Sequence, residues 1–100
     1  MTKTDVVIDE KIQIEISEPK DCKVIFLNDN TTPMEFVIEV LQLIFKHTFD
    51  TAQSLTLQIH EEGSGVAGIY SYEIAEQKVA ESISVSRGAG YPLALDLEEL

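Results

Sequence analysis

A chain of 100 residues is long enough for one hydrophobic core and too short for two, and 44% hydrophobic with 25% charged residues is the mixture of a globular domain. Eighteen acidic against seven basic residues leave a net charge of −11, which excludes nucleic acid and anionic membrane surfaces as expected partners and favours cationic ones. The single Cys22 excludes an internal disulfide, no apolar run approaches the roughly twenty residues of a membrane span, and residues 1–5 lack a signal-peptide apolar region, so a soluble cytoplasmic protein is expected.

Residues 1–20 carry five acids and three lysines and read as a flexible N-terminal extension to a core domain at 21–100. Within the extension, residues 12–16 alternate with period two, as an edge strand would. Residues 23–27 are a short, nearly continuous apolar run suited to a central strand. At Asn28 the chain enters a polar turn. Thr32 has the character of an N-cap, Pro33 suits the first helical position, and Glu35 completes a capping box, so a helix is expected to start here and run to about Lys46.

The polar residues of that helix, Glu35, Glu39, Gln42 and Lys46, form one narrow stripe, which leaves too wide an apolar surface for a helix lying on a single sheet face. It is expected to be the core helix. Asp50 with Gln53 offers a second capping pair, and Ala52, Leu55 and Ile59 mark the buried stripe of a helix ending at Gly63, with His60 in its last turn. Residues 66–70 read as a strand. Ser71 caps a third helix with Ala75, Val79 and Ser82 or Ile83 inward, Glu73, Glu76 and Lys78 outward, and an end near Gly88. Leu93, Leu95 and Leu97 then alternate as a half-buried strand. The fold class is α/β (α+β): a two-layer sandwich in the order β-α-α-β-α-β, with a three-stranded antiparallel sheet and three helices on it.

No metal-binding spacing is present, since His47 and His60 are thirteen apart and Cys22 stands alone. No serine sits in a nucleophile-elbow context, so a triad from Asp29 and His60 is not expected, nor is any other catalytic residue or cofactor. His47 reads as a solvated residue at a helix end. From the residues alone, Asn28 and Asp29 can be turn and capping residues without a ligand, and His60 a helix-end residue favoured by the dipole.

Residues 23–42, KVIFLNDNTTPMEFVIEVLQ, resemble the signature of the ClpS family, adaptors that hand N-degron substrates to Clp ATPases of the AAA+ class. Residues 59–63, residues 73–80 and Pro92-Leu93 match further family stretches in order and spacing. The resemblance implies recognition of a free α-amino group by Asn28, Asp29, Asn30 and His60. It also implies a pocket for a bulky Leu, Phe, Tyr or Trp side chain bordered by Thr32, Met34, Val37, Leu41, Thr56, Ile59 and Leu93, with Met34 as gatekeeper against β-branched residues. Glu73, Glu76 and Lys78 would dock on the N-terminal domain of a ClpA-like or ClpC-like ATPase, and the extension would serve delivery by a monomeric adaptor. Asn30 stands where many relatives carry an acid and Thr56 where a large apolar residue is common. Those two departures motivate an alternative, a docking modulator of the ATPase without N-degron binding.

Overall fold

The computed structural model describes residues 20–100, so the alternating stretch at 12–16 and the rest of the extension lie outside the described residues. The elements run β1 (Asp21–Leu27), α1 (Met34–Leu43), α2 (Phe49–Glu62), β2 (Ser64–Ser71), α3 (Tyr72–Gly88) and β3 (Ala94–Glu99). This is the expected order. The strands form an antiparallel sheet in the order β2-β1-β3, with the apolar β1 in the centre.

Side-chain alternation along β1 sets the two layers. Cys22, Val24 and Phe26 are buried, whereas Lys23, Ile25 and Leu27 are only half-buried, so one sheet face meets the helices and the other does not. Leu95 and Leu97 of β3 pair opposite Phe26 and Val24 and pack against the same core. α3 packs on all three strands, α2 on β2, and α1 on α2. Ser82 and Ser86 are fully buried on α3, their hydroxyls donating back to the carbonyls of Lys78 and Ser82 at 2.8 and 2.7 Å. Small side chains that satisfy themselves within the helix let α3 lie close to the sheet. The Cys22 thiol is pushed up from its ordinary pKa, first by burial and then by Glu99 and Asp21, so it is an inert core residue.

Several local expectations are corrected. α1 begins at Met34 with Pro33, which has no side-chain acceptor, in the N-cap position, so no side chain caps it; Thr32 lies one residue outside and its hydroxyl donates to Asp29. It stops at Leu43, and Lys46 lies beyond it with a left-handed backbone, φ 62°. The helix is not buried on every side either: Val37, Val40 and Leu41 enter the core, but Leu43 is 69% exposed. α2 starts two residues earlier than the Asp50 pair implied, with the Thr48 hydroxyl accepting from Thr51 N–H at 3.2 Å. His47 is half-buried, not solvated: its Nε2–H donates to the carbonyl of Ala67 at 2.6 Å. The register of β1 against β2 slips between Val24 and Ile25 and passes over Ala67, a bulge whose freed carbonyl His47 satisfies.

Gly63 ends α2 as expected, in the left-handed conformation with φ 94° and its N–H on Ile59 O. The chain thereby reverses directly into β2. Gly65 makes room for the packing that follows, since a Cβ there would stand 2.9 Å from Ile59 Cγ1 and 3.0 Å from Leu55 Cδ1.

Candidate functional site

Five elements converge at one end of the sheet. Leu27, the last residue of β1, pairs with Ser64 at the start of β2 and with Ala94 at the start of β3. There Asn28 N–H donates to the carbonyl of Gly63 at 2.9 Å. That bond brings the polar turn after β1 against the C-terminus of α2, joining Asn28 to His60 across thirty-two positions of sequence. The N-terminus of α1 closes a third side.

Asp29 organises the turn. Its Oδ1 accepts from the N–H groups of Thr31 and Thr32 at 2.8 and 2.7 Å, and its Oδ2 accepts from the Thr32 hydroxyl at 2.8 Å. Burial alone would raise the Asp29 carboxyl, but these three bonds and the nearby Arg87 charge outweigh it and hold the group below its ordinary value. Asp29 is therefore an ionised brace whose oxygens are already occupied by its own turn.

Below this rim lies a cleft of about 150 Å³ lined by Leu27, the rim residues Asn28, Asp29, Asn30 and Thr32, the side chains of Met34, Val37, Thr56, Ile59 and Leu93, and His60. Asn28, Asn30 and His60 are exposed at the mouth, while Val37, Thr56, Ile59 and Leu93 are buried at the floor. Thr56 is 3% exposed and its hydroxyl donates to Ala52 O at 2.8 Å, so the one polar floor group is satisfied within its own helix. Leu93 is held from behind: Arg87 Nη1 donates to the carbonyls of Leu93 and Tyr91, each at 3.0 Å. Tyr91 in turn stacks edge-on against Phe36 of α1, 4.9 Å between centroids.

Ten of the eleven residues expected at the amine and side-chain sites line this cleft. Leu41 does not; it lies one turn beyond Val37, wholly within the core. Leu27 is an addition. Its signal in the sequence is only its position immediately before Asn28, and an apolar strand end gives no local hint that it will face a cleft.

Glu73, Glu76 and Lys78 lie on α3, and none lines the cleft. Glu73 and Glu76 are exposed, Glu76 accepting from the Tyr72 hydroxyl at 3.0 Å. The outward placement expected for Lys78 is corrected. Its Nζ donates to Ile44 O at 2.7 Å, just past the C-terminus of α1, and lies 5.7 and 5.2 Å from the ring centroids of Phe45 and Tyr70. An ammonium there answers a free helix-end carbonyl and two aromatic faces at once.

Among the described residues no group of three His, Cys, Asp or Glu side chains can hold a metal ion, and no helix is long and apolar enough to cross a membrane. Acceptors ring the mouth and apolar side chains form the floor. The fold and site thus define an α+β binding domain suited to a ligand with a cationic head on an apolar body.

Comparison with known proteins gives that class a family. A family model described as ATP-dependent Clp protease adaptor protein ClpS matches residues 17–96. The adapter protein ClpS of Wolinella succinogenes is 46% identical over 89 residues, covering 89% of this chain and 87% of that protein. The ClpS of Shewanella pealeana is 43% identical over 101 residues, covering 99% of each. The solved structure of Agrobacterium tumefaciens ClpS2 bound to L-phenylalaninamide matches with a TM-score of 0.80 at 37% identity, over 83% of this chain and 100% of that one. The chain belongs to the ClpS family of Clp protease adaptors.

Proposed function

We propose that this protein binds the free α-amino group and bulky hydrophobic side chain of N-degron substrates, drawn from Leu, Phe, Tyr and Trp, and delivers them to a Clp AAA+ ATPase by docking on its N-terminal domain. The observation that carries the reading is the joining of an acceptor-bearing rim to an apolar pit within one cleft. L-phenylalaninamide, the molecule bound to the Agrobacterium relative, has the two matching halves, an amine and a benzyl group. The protein acts as a carrier with no chemistry of its own, in the cytoplasm and as a monomer.

An α-ammonium has three donors and no acceptor. Asn28 offers its side-chain oxygen and His60 a ring nitrogen, both exposed at the mouth where an incoming chain terminus can reach them. Asp29, already braced by three hydrogen bonds, contributes negative charge and a fixed turn, and Asn30 lies beside it to hold the start of the peptide. Burying a Leu or Phe side chain contributes about 1.5–3 kcal/mol and each hydrogen bond to a charged group about 1.5–3 more. Neither half suffices alone after ordering costs, so affinity is modest and both halves are required.

Fluorescence-anisotropy titration of short peptides beginning with Leu or Phe, beside acetylated and Ala-initiated versions, tests this directly. Micromolar or tighter binding that vanishes on acetylation is expected. No binding by any free-amine peptide, with retained binding to the ATPase domain, would move the assignment to a docking modulator. His60→Ala removes the ring acceptor and is expected to weaken a Phe-initiated peptide several-fold; unchanged affinity would remove His60 as an acceptor. The depressed Asp29 carboxyl is ionised above the ordinary carboxylate range and loses its three bonds only as pH falls through the lowered value, so the rim turn is expected to hold its shape, and the peptide its affinity, until that point.

A further inference from the structure

We infer that residues 12–16 of this chain lie extended across the open face of the sheet, with Ile12, Ile14 and Ile16 set on an apolar row there; the inference stands apart from the adaptor reading above. The row is the first observation. On the face turned away from the helices, Ile69 of β2 is paired with Lys23 of β1, Val66 is paired with Ile25, and Leu27 ends the row beside the cleft. Val66 is 41% exposed and Ile69 51% exposed, while Ile25 and Leu27 are half-buried. The β3 side of that face is polar, with Asp96 and Glu98 exposed and a Glu98 oxygen 3.8 Å from Lys23 Nζ. Adjoining apolar side chains on a solvent face mark an interaction surface.

The chain supplies a matching segment beside this row. Residues 1–19 precede Lys20, whose carbonyl accepts from Tyr72 N–H at 3.1 Å, so the extension leaves the sheet where β1 begins and β2 ends. Residues 12–16, IQIEI, carry isoleucine at every second position, which an extended chain places on one side. The isoleucines span four residue steps, about 13 Å, and the row from the Lys23–Ile69 pair to Leu27 spans the same four steps of β1. Ile16 is four steps from Lys20, so residues 17–19 can bridge about 13 Å, enough to rise from the end of β1 onto the face. Gln13 and Glu15 then point to water, and no carboxylate is buried. Pairing of this segment with β1 itself is closed, because β2 and β3 occupy both of its sides. The tether favours the segment over a free partner of equal affinity, since a short linker sets an effective concentration of about millimolar.

Thiol protection in the full chain tests this. Ile69→Cys puts a reporter at an exposed position of the row, and Cys22 is buried and adds little reactivity. Alkylation of that reporter is expected to be several-fold slower than in a chain that also carries Ile12→Ser, Ile14→Ser and Ile16→Ser. A second pair reads the register. On addition of oxidised glutathione, Ile14→Cys with Val66→Cys should form an intramolecular disulfide several-fold faster than Gln13→Cys with Val66→Cys, because residue 13 faces away from the sheet. Equal alkylation rates with and without the isoleucines overturn the inference, and so does equal cross-linking from positions 13 and 14. Protection that grows with protein concentration, with the disulfide joining two chains, gives the face to a second copy and overturns its assignment to residues 12–16 of the same chain.

Discussion

The cleft and the α3 surface are both polar regions, yet they are held in opposite ways. In the cleft, Asp29 carries three hydrogen bonds, Asn28 is tied by its backbone to Gly63, and the floor is buried side chains braced by Arg87 and Gly65. On α3, Glu73 is exposed with no hydrogen bond or ion pair among the described residues, and Glu76 is exposed and accepts from the Tyr72 hydroxyl. A preorganised site can select by shape, because the ordering cost is met on folding and not on binding. A loose charged face can only select by field, which is long in reach and sensitive to salt. Lys78 belongs to neither side of the division by sequence alone, and its bond to Ile44 O moves it to the braced half.

The strongest way to break this comparison is at the floor. Leu93→Ala removes a fully buried side chain from a site that cannot collapse, and is expected to cost about 2–5 kcal/mol in denaturant unfolding. It should also weaken a Phe-initiated peptide about tenfold through the lost wall. A loss under about 1 kcal/mol would mean the floor relaxes, and the contrast with the loose α3 face would fall with it.

Asp29→Ala comes next. Three bonds to a carboxylate disappear, but the group is half-exposed and water replaces much of what is lost, so unfolding stability should drop by only about 1–2 kcal/mol. Peptide affinity should fall by at least about tenfold, since the rim loses both its charge and its shape. Asp29→Asn, which retains acceptors, should lie between. Equal peptide affinity in all three forms would show that the turn holds itself without Asp29.

How far this division could be read from the chain depends on the range of the interaction. The strand-helix-helix-strand-helix-strand order, the stop at Gly63 and the alternation of Leu95 and Leu97 are written in near neighbours, and all appear in the structure. The cap expected at Thr32 misses by one residue, because the helix starts only after Pro33, which has no side-chain acceptor, and the Thr32 hydroxyl donates to Asp29. The solvated reading of His47 and the outward reading of Lys78 fail for a different reason. Their partners, Ala67 O and Ile44 O, lie twenty and thirty-four residues away, and a free carbonyl made by a bulge or a helix end leaves no mark in the sequence. The cleft residues became legible only as a family pattern, because Asn28 and His60 meet through a backbone bond to Gly63.

Lys78→Met sharpens the boundary between the two regions. The variant keeps the apolar stem and removes the ammonium, leaving Ile44 O and two ring faces unanswered. A loss of about 1 kcal/mol in unfolding stability is expected, with peptide affinity unchanged. Unchanged stability with lost binding to the ATPase domain would return Lys78 to the docking surface.

The smallest effect on the isolated protein should come from Glu73→Gln with Glu76→Gln, and its smallness is the point. Both side chains are exposed, and Gln at 76 can still accept from the Tyr72 hydroxyl, so stability should stay within about 0.5 kcal/mol and peptide affinity should not move. If the α3 face docks by its field, binding to the N-terminal domain of the partner ATPase falls several-fold in dilute salt. That deficit shrinks as salt is raised, because screening shortens from about 10 Å at 0.1 M to about 3 Å at 1 M. A deficit that persists in molar salt would instead mark a desolvated, close-fitting contact, and α3 would then select by shape as the cleft does.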